Sequence, residues 1–378
     1  MKKILIIAGE ASSDMHAADL VRNIKALDKN ISFIGLGGDR MKEAGVEIME
    51  NIVRMAFIGP GGILKNYAAL KKAYTSICDY IYKNSLDCAI LIDYAEFNLR
   101  VARHLKSRGV KVIYYISPQV WAWGAWRIKT IKRVVDKMLV LFGFEEKLYK
   151  EHGIDVTFVG HPLLDSVKIR HSKEDIIKNL GIGHNAKIVG ILPGSRKNEI
   201  KYILPVMLDS CSAVLKELKD KEISFILPLA PSIDEDYVKS FIEKTSLNIK
   251  IVKDGRYDAI SICDCAMVTS GTATLETALL GVPMAILYKT NFLTYIATRS
   301  VIRLPYIGLV NVIAGERIVP EFLQYEARPL RIAEYMVRLL DDGALSRSMK
   351  ERFIRIKNSL GEPGASKRAA GEVIKFLA

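Results

Sequence analysis

KILIIAGEASSD, residues 3–14, passes from a lysine through an apolar run to a glycine and a string of small polar residues. The apolar part has no polar alternation. It therefore reads as a strand covered on both faces, the mark of a parallel sheet between helices. GEASSD is then a Gly/Ser turn, and a helix from His16 to Leu27 begins at it. Further on, ISFIGLGG (31–38) repeats the strand and glycine turn, with a short helical segment through Glu43. CAILID (88–93), VKVIYYIS (110–117), KMLVLF (137–142) and VTFVG (156–160) supply further strands, with helical stretches between them.

The composition shifts after Gly160-His161-Pro162, and residues 166–186 are polar and basic. The same grammar then restarts. KIVGILPG (187–194) enters a second glycine turn, followed by a helix from Ile200 to Leu218. ISFILPLA (223–230), IKIVK (249–253), CAMVTSG (265–271) and MAILYK (284–289) supply strands, and Arg331–Leu340 and Ala365–Leu377 are helical. Two such units without a long linker predict an α/β protein of two Rossmann-like domains facing each other across a cleft. Ligands should lie beyond the carboxyl ends of the strands. The expected division is 1–165, 166–345 and a C-terminal helical segment at 346–378.

The bulk composition agrees. A chain of 378 residues is long for one core, and 50% apolar with 26% charged residues is ordinary globular composition. Five cysteines, Cys78, Cys88, Cys211, Cys263 and Cys265, match no disulfide framework or zinc spacing. Reduced, mostly buried thiols in a reducing compartment are expected. The apolar run after Met1-Lys2-Lys3 stops at Gly9-Glu10, too short for a secretory signal, and no stretch reaches the roughly 18 apolar residues of a membrane span.

The formal charge is +13, and much of it is local: Arg100 to Lys137 holds ten basic residues and one acid, Asp136. Trp121, Trp123 and Trp126 lie in the same window. Such a surface suits an anionic membrane face or RNA, and a merely solvated basic face is the plainer reading. No zinc-finger or RNP-type motif supports the nucleic-acid version.

Five places could carry chemistry. GEASSD lacks dinucleotide-fingerprint spacing; its small residues could offer amides to an anion, or Asp14 could simply cap the helix. Leu192-Pro193-Gly194-Ser195-Arg196 follows a strand, and Ser195 and the permanently charged Arg196 suit a diphosphate, with a plain turn as the alternative. The segment 269–276 presents Ser270, Gly271 and Thr272 at a helix start, with Glu276 one turn in to accept from ribose hydroxyls. These two anion-friendly turns make the second unit the nucleotide-binding half. Neither is a GxxxxGK[ST] loop, so phosphoryl transfer from ATP is disfavoured. Asp93 ends the CAILID strand, sited either as a general base or as a partner for nearby backbone; Glu96 is the second candidate base. His161 lies in the Gly-Pro turn at the domain junction, equally a contact to phosphate or sugar and a structural histidine.

In order, GEASSD (9–14), SPQVWAW (117–123), GHPLLD (160–165), LPGSR (192–196), SGTATLE (270–276) and NVIAGERIVPEFLQ (311–324) resemble the lipid-A-disaccharide synthase family. These are inverting glycosyltransferases of the two-Rossmann-domain, GT-B-like class. Two departures stand out: Ser13 replaces the family's usual glycine, and the tract after Asp93 lacks the common proline. The resemblance implies transfer from UDP-2,3-diacylglucosamine to 2,3-diacylglucosamine 1-phosphate, giving a β-1,6-linked disaccharide phosphate and UDP. It implies no metal or other cofactor, and a cytoplasmic protein held peripherally on an anionic membrane surface, the inner membrane's cytoplasmic face.

The first domain would take the acceptor and face the membrane, while the second would take the nucleotide sugar. Asp93 would be the base, Glu10 would face the sugar, and Arg196 with the amides near Ser195 and Ser270 would receive the leaving diphosphate. Glu276 would hold the ribose, and Asn311 would lie by the donor. The terminal helix would return to the first domain and could be exchanged in a homodimer. FIGPGGIL (57–64) is either a second insertion loop or an ordinary buried turn, and the tract 292–307 either a core helix or an acyl-chain wall. The nearest rivals are a UDP-sugar 2-epimerase and the transferase that adds N-acetylglucosamine to a peptidoglycan lipid intermediate. A basic nucleic-acid or lipid binder without turnover is the rival of a different class, and it leaves both phosphate-type turns unexplained.

Overall fold

The computed structural model describes residues 2–53, 63–122, 124–291, 295 and 305–378, and only the backbone at 63–67. Trp123, most of the 57–64 loop and most of the 292–307 tract lie outside these residues. The chain divides into two compact units, Met1–Asp165 with Leu360–Ala378, and Ser166–Ser359.

The first unit holds a seven-stranded parallel sheet in the order β3-β2-β1-β4-β5-β6-β7. Its strands are β1 (Lys2–Ala8), β2 (Ile31–Gly37), β3 (Glu47–Asn51), β4 (Cys88–Ile92), β5 (Lys111–Tyr115), β6 (Lys137–Val140) and β7 (Val156–Phe158). Ile4, Leu5, Ile6 and Ile7 are all fully buried, so both faces of β1 are covered by helices, as a continuous apolar run requires. The second unit has six strands in the order β10-β9-β8-β11-β12-β13. These are β8 (Lys187–Leu192), β9 (Ile223–Pro228), β10 (Ile249–Val252), β11 (Cys265–Thr269), β12 (Met284–Tyr288) and β13 (Glu321–Leu323).

In each sheet the strand order reverses beside its first strand, between β1 and β4 and again between β8 and β11. Such a switch point opens a crevice at the carboxyl ends, because successive connections leave on opposite sides. Ala8 pairs with Ile92, so Gly9-Glu10 and Asp93 leave the first sheet side by side. Leu192 pairs with Val268, which does the same for the 193–196 and 270–272 turns.

The first helix begins at Ala11, five residues earlier than the sequence suggests, with Glu10 in the N-cap position. Ser13 makes this turn: its hydroxyl accepts from the Glu10 amide and donates to the Glu10 carbonyl, both at 2.9 Å. A glycine there would lack these bonds. Asp14 does not cap its own helix. Its buried carboxylate accepts from the amides of Gly38 (2.7 Å), Arg40 (3.1 Å) and Met41 (3.2 Å), closing the start of the helix Asp39–Glu43. A Cβ on Gly38 would stand 2.6 Å from that carboxylate, so only glycine permits the approach. Asp14→Ala is expected to cost about 3 kcal/mol in denaturant unfolding, because it strands buried amides of a charge-assisted set. A loss below roughly 0.5 kcal/mol would show that the amides find other partners.

The expected C-terminal segment starts later than 346. The helix Gly343–Ser359 buries Met349, Phe353 and Ile356 and belongs to the second unit. From Leu360 the chain packs on the first: the Leu360 carbonyl accepts from the His161 amide at 3.0 Å, and the Gly364 amide donates to Asp165 at 2.8 Å. Arg368 donates to the Val159 carbonyl at 2.8 Å, and the helix Ala365–Leu377 lies against the helix Ala11–Leu27.

Candidate active site

Asp93 is the residue around which the first unit's switch point is built. Asp93 and Tyr94 both take left-handed backbone conformations, φ 49° and 48°, which non-glycine residues adopt only when the surroundings hold them. The Asp93 amide donates to Tyr115 O at 3.1 Å. Its carbonyl accepts from Asn98 Nδ2 at 2.8 Å and from the Tyr114 hydroxyl. Tyr114 and Asn98 are fully buried, so the sheet and the helix Ala95–Ser107 together fix where the aspartate points.

It points into a cavity of about 620 Å³, lined among others by Glu10, Tyr74, Asp93, Tyr94, Phe97 and Arg100. Burial raises the Asp93 carboxyl to about 6; the Glu10 carboxylate adds to the rise, and a bond from the Tyr94 backbone opposes it. A carboxylate of that basicity is suited to take a proton near neutral pH. Glu96 differs. It pairs with the buried Arg127 guanidinium, and its side chain is 61% exposed. The geometry favours Asp93 over Glu96 as the base.

The loop after β5 closes the cavity with Pro118 and Gln119. It is stapled from below by Glu145, which accepts from the Ser117 hydroxyl at 2.8 Å and the Trp121 indole at 3.0 Å. Burial pushes this carboxyl up to about 7, while those two donors pull it back. The expectation of a membrane-facing tryptophan cluster is reduced accordingly, since Trp121 is tied inward. Trp126 is 65% exposed, with the Arg127 guanidinium 4.9 Å from its ring centre. Arg103, Arg108, Lys129, Lys132 and Arg133 stay on the surface. His161 is buried and accepts from the Leu163 amide at 3.1 Å. Burial and then the neighbouring His16 lower it to about 3, which keeps the ring neutral.

In the second unit, Gly194-Ser195-Arg196 leads into the helix Lys197–Glu217. One Glu199 oxygen accepts from the Ser195 (3.0 Å) and Arg196 (3.2 Å) amides, and the other from the Arg196 guanidinium at 3.0 Å. The donors expected to meet an anion are thus held by this carboxylate. Ser270 is not a free donor either, since its amide bonds Leu287 O at 3.0 Å and its hydroxyl Ile307 O at 2.8 Å. The helix Thr272–Leu279 starts immediately beyond; its Thr274 amide donates to the N-cap Gly271 carbonyl at 3.1 Å, and the amides ahead of it lie in the first turn, which has no intrahelical acceptor. Gly271 (φ 149°) needs to be glycine, and nothing lies within 4 Å of where a Cβ would stand.

Glu276 is 8% exposed and accepts from Tyr257 Oη at 2.9 Å and from Arg256. Asn311 must be corrected. It is fully buried, with Nδ2 donating to Val319 O and Glu321 at 2.8 Å each and Oδ1 accepting from the Ile318 and Val319 amides. It orders the 315–321 turn and presents no atom to a ligand. Among the described residues, no three His, Cys, Asp or Glu converge as a metal site would need, and no helix is long and apolar enough to cross a membrane.

Residues 4–371 match the family model for lipid-A-disaccharide synthetase. The chain belongs to the lipid-A-disaccharide synthase family. The lipid-A-disaccharide synthase of Geobacter sulfurreducens is 42% identical over 375 residues, covering 99% of this chain and 97% of that one. Solved structures extend the likeness of fold. UDP-GlcNAc 2-epimerase from Neisseria meningitidis, bound to UDP-GlcNAc, has a TM-score of 0.62 at 14% identity, covering 99% and 100%. MurG from Acinetobacter baumannii has a TM-score of 0.60, also at 14% identity and covering 99% and 100%. The last two share only the two-Rossmann, GT-B-like architecture, whereas the synthase shares the sequence from end to end. As a lipid-A-disaccharide synthase family member, the protein is a glycosyltransferase with a UDP-sugar donor.

In each unit, residues that shape its candidate site were missed in the sequence. Tyr74, Tyr94, Phe97 and Arg100 line the first unit's cavity; in the second, Glu199 bonds the Ser195 and Arg196 amides, and Arg256 with Tyr257 holds Glu276. The one signal that could have found any of them is that Phe97 and Arg100 fall within two turns after Asp93.

Proposed function

We propose that the protein transfers 2,3-diacylglucosamine from its UDP conjugate to the 6-hydroxyl of 2,3-diacylglucosamine 1-phosphate. Asp93 removes the hydroxyl proton as that oxygen attacks the donor's anomeric carbon. The bond to the diphosphate breaks on the opposite face, so configuration inverts and UDP leaves with the electron pair. Glu10 faces the sugar side, where positive charge grows on the ring. Arg196 and the amides at the start of the helix Thr272–Leu279 receive the negative charge growing on the diphosphate. To do so, Arg196 and the Ser195 amide exchange Glu199 for phosphate oxygens. Glu276 keeps one face for the ribose.

The observation that carries this reading is Asp93 itself: a strained carboxylate at a switch point, raised to about 6, in a cavity with apolar walls. Those walls suit an acylated sugar, and the exposed Trp126 with its basic neighbours suits peripheral attachment to an anionic membrane surface. Exchange of the segment from 360 onward between two copies would preserve its contacts and is the route to a homodimer.

The test is UDP release from UDP-2,3-diacylglucosamine in detergent micelles, with and without 2,3-diacylglucosamine 1-phosphate. Release that needs the acceptor, with an equal yield of disaccharide phosphate, is expected. Donor turnover without acceptor would point instead to a hydrolase or epimerase.

A further inference from the structure

The Asp93 cavity carries two kinds of charge. Glu10 and Asp93 lie where the sheet ends, at the tips of β1 and β4. Lys71 and Arg100 come from the two flanking helices, Ile63–Lys83 and Ala95–Ser107. These helices are joined by Tyr74 and Phe97, whose rings meet edge to face at 5.9 Å.

The third cation of the lining, Arg127, is taken by Glu96. That pairing has a consequence for Arg100, which lies one turn after Glu96 and would otherwise be its natural i, i+4 partner. With Glu96 turned to Arg127, Arg100 has no carboxylate partner among the described residues, and neither has Lys71. The next residue, Lys72, does have one, bonding Glu50 at 3.1 Å. Two exposed cations without a carboxylate partner among the described residues therefore border the same cavity as the base, beside its apolar wall of Leu70, Tyr74 and Phe97.

The acceptor has a matching polarity. Its nucleophilic 6-hydroxyl and its anomeric phosphate lie at opposite ends of one hexose, and the acyl chains leave from the ring between them. We infer that Arg100 and Lys71 form the subsite for the acceptor's phosphate monoester and so orient the 6-hydroxyl toward Asp93. Arg100 offers a planar fork that two phosphate oxygens can accept from, and Lys71 adds a point charge. The inference rests on the transferase reading above and names its acceptor subsite. It also gives the enzyme a means of favouring the phosphorylated acceptor, because an acylated glucosamine without the phosphate forgoes both contacts.

The test compares 2,3-diacylglucosamine 1-phosphate with the same sugar lacking the phosphate, in nonionic detergent micelles free of phospholipid. Arg100→Ala and Lys71→Ala are each expected to lower the ratio of kcat/KM for the phosphorylated over the unphosphorylated acceptor by roughly 10- to 100-fold. The loss should fall mainly in KM for the phosphorylated acceptor. Arg103→Ala, on the same helix but outside the cavity, is expected to keep the parent's ratio.

An equal loss on both acceptors, or no loss, would overturn the subsite. So would a defect seen only as weaker binding to anionic phospholipid vesicles, which would assign these cations to headgroups of the membrane. If the parent enzyme forms disaccharide from neither acceptor, the failure lies with the transferase reading.

Discussion

Asp93→Asn is expected to lower turnover by roughly 10²- to 10⁴-fold while leaving UDP affinity near the parent's. Asparagine is the informative replacement because it keeps the shape and tolerates the left-handed conformation at φ 49°. The bonds that fix the site use the Asp93 main chain: its amide to Tyr115, and its carbonyl from Asn98 and Tyr114. The substitution therefore removes the proton acceptor without removing the architecture. The parent should lose rate as pH falls through about 6, where the buried carboxyl takes up its proton. The residual rate of the asparagine variant should lack that step.

Stability should move the other way. The folded-state carboxyl titrates at about 6 against an ordinary 3.8, so the fold holds the proton more tightly than the unfolded chain does. Stability is then lost as pH rises from the unfolded value through the folded one, and above pH 6 the charged Asp93 costs up to about 3 kcal/mol. Asp93→Asn should thus unfold at higher temperature than the parent at pH 8, with the gap shrinking toward pH 4. A variant with less activity and more stability is what a strained catalytic carboxylate predicts. Equal turnover would remove Asp93 as the base. Lower stability at pH 8 would contradict its environment.

The sequence was most legible where burial is two-sided. The apolar residues of KILIIA, CAILID and KIVGIL form strands buried on both faces, and such runs leave no ambiguity. Of the four edge strands, β7 and β10 were legible and β3 and β13 were not. β3 is EIMEN, half exposed and polar, and β13 has three residues; neither has a hydrophobic signal for a reader to find. The positions of Glu10, Asp93, Ser195 and Arg196 at strand ends followed from topology. What those groups bond to did not follow. Asp14 closes a helix that starts 25 residues later, Glu199 reaches back to its own turn, and Asn311 is absorbed by a neighbouring loop. Such partners depend on side-chain direction after folding, which spacing alone does not encode. Glu96 is the sharpest case. In sequence it stood as the second candidate base, and the approach of Arg127, 31 residues away, sets it apart from Asp93.

Arg196→Ala is expected to lower kcat by roughly 10²- to 10³-fold, the range for removing one preorganised donor from a developing anion. The reason lies in what Arg196 touches now. Its side chain is 76% exposed and is held by Glu199 at 3.0 Å, while the same carboxylate covers the Ser195 and Arg196 amides. In the proposed reaction, the donor's diphosphate takes the place of this carboxylate, which now bridges a guanidinium and two amides. The donor's diphosphate carries more charge than the carboxylate it displaces, and that charge grows as the sugar departs. The guanidinium is therefore worth more in the transition state than in the ground state, so its loss should appear in kcat as well as in KM. Arg196→Lys should recover only part of the rate, since an ammonium cannot bond two oxygens of a phosphate in one plane. Steady-state kinetics with varied donor, together with UDP binding by calorimetry, separate the effects. A rise in KM with kcat intact would mean that Arg196 only binds the nucleotide. In that case the amides at the start of the helix Thr272–Leu279 would carry the leaving group.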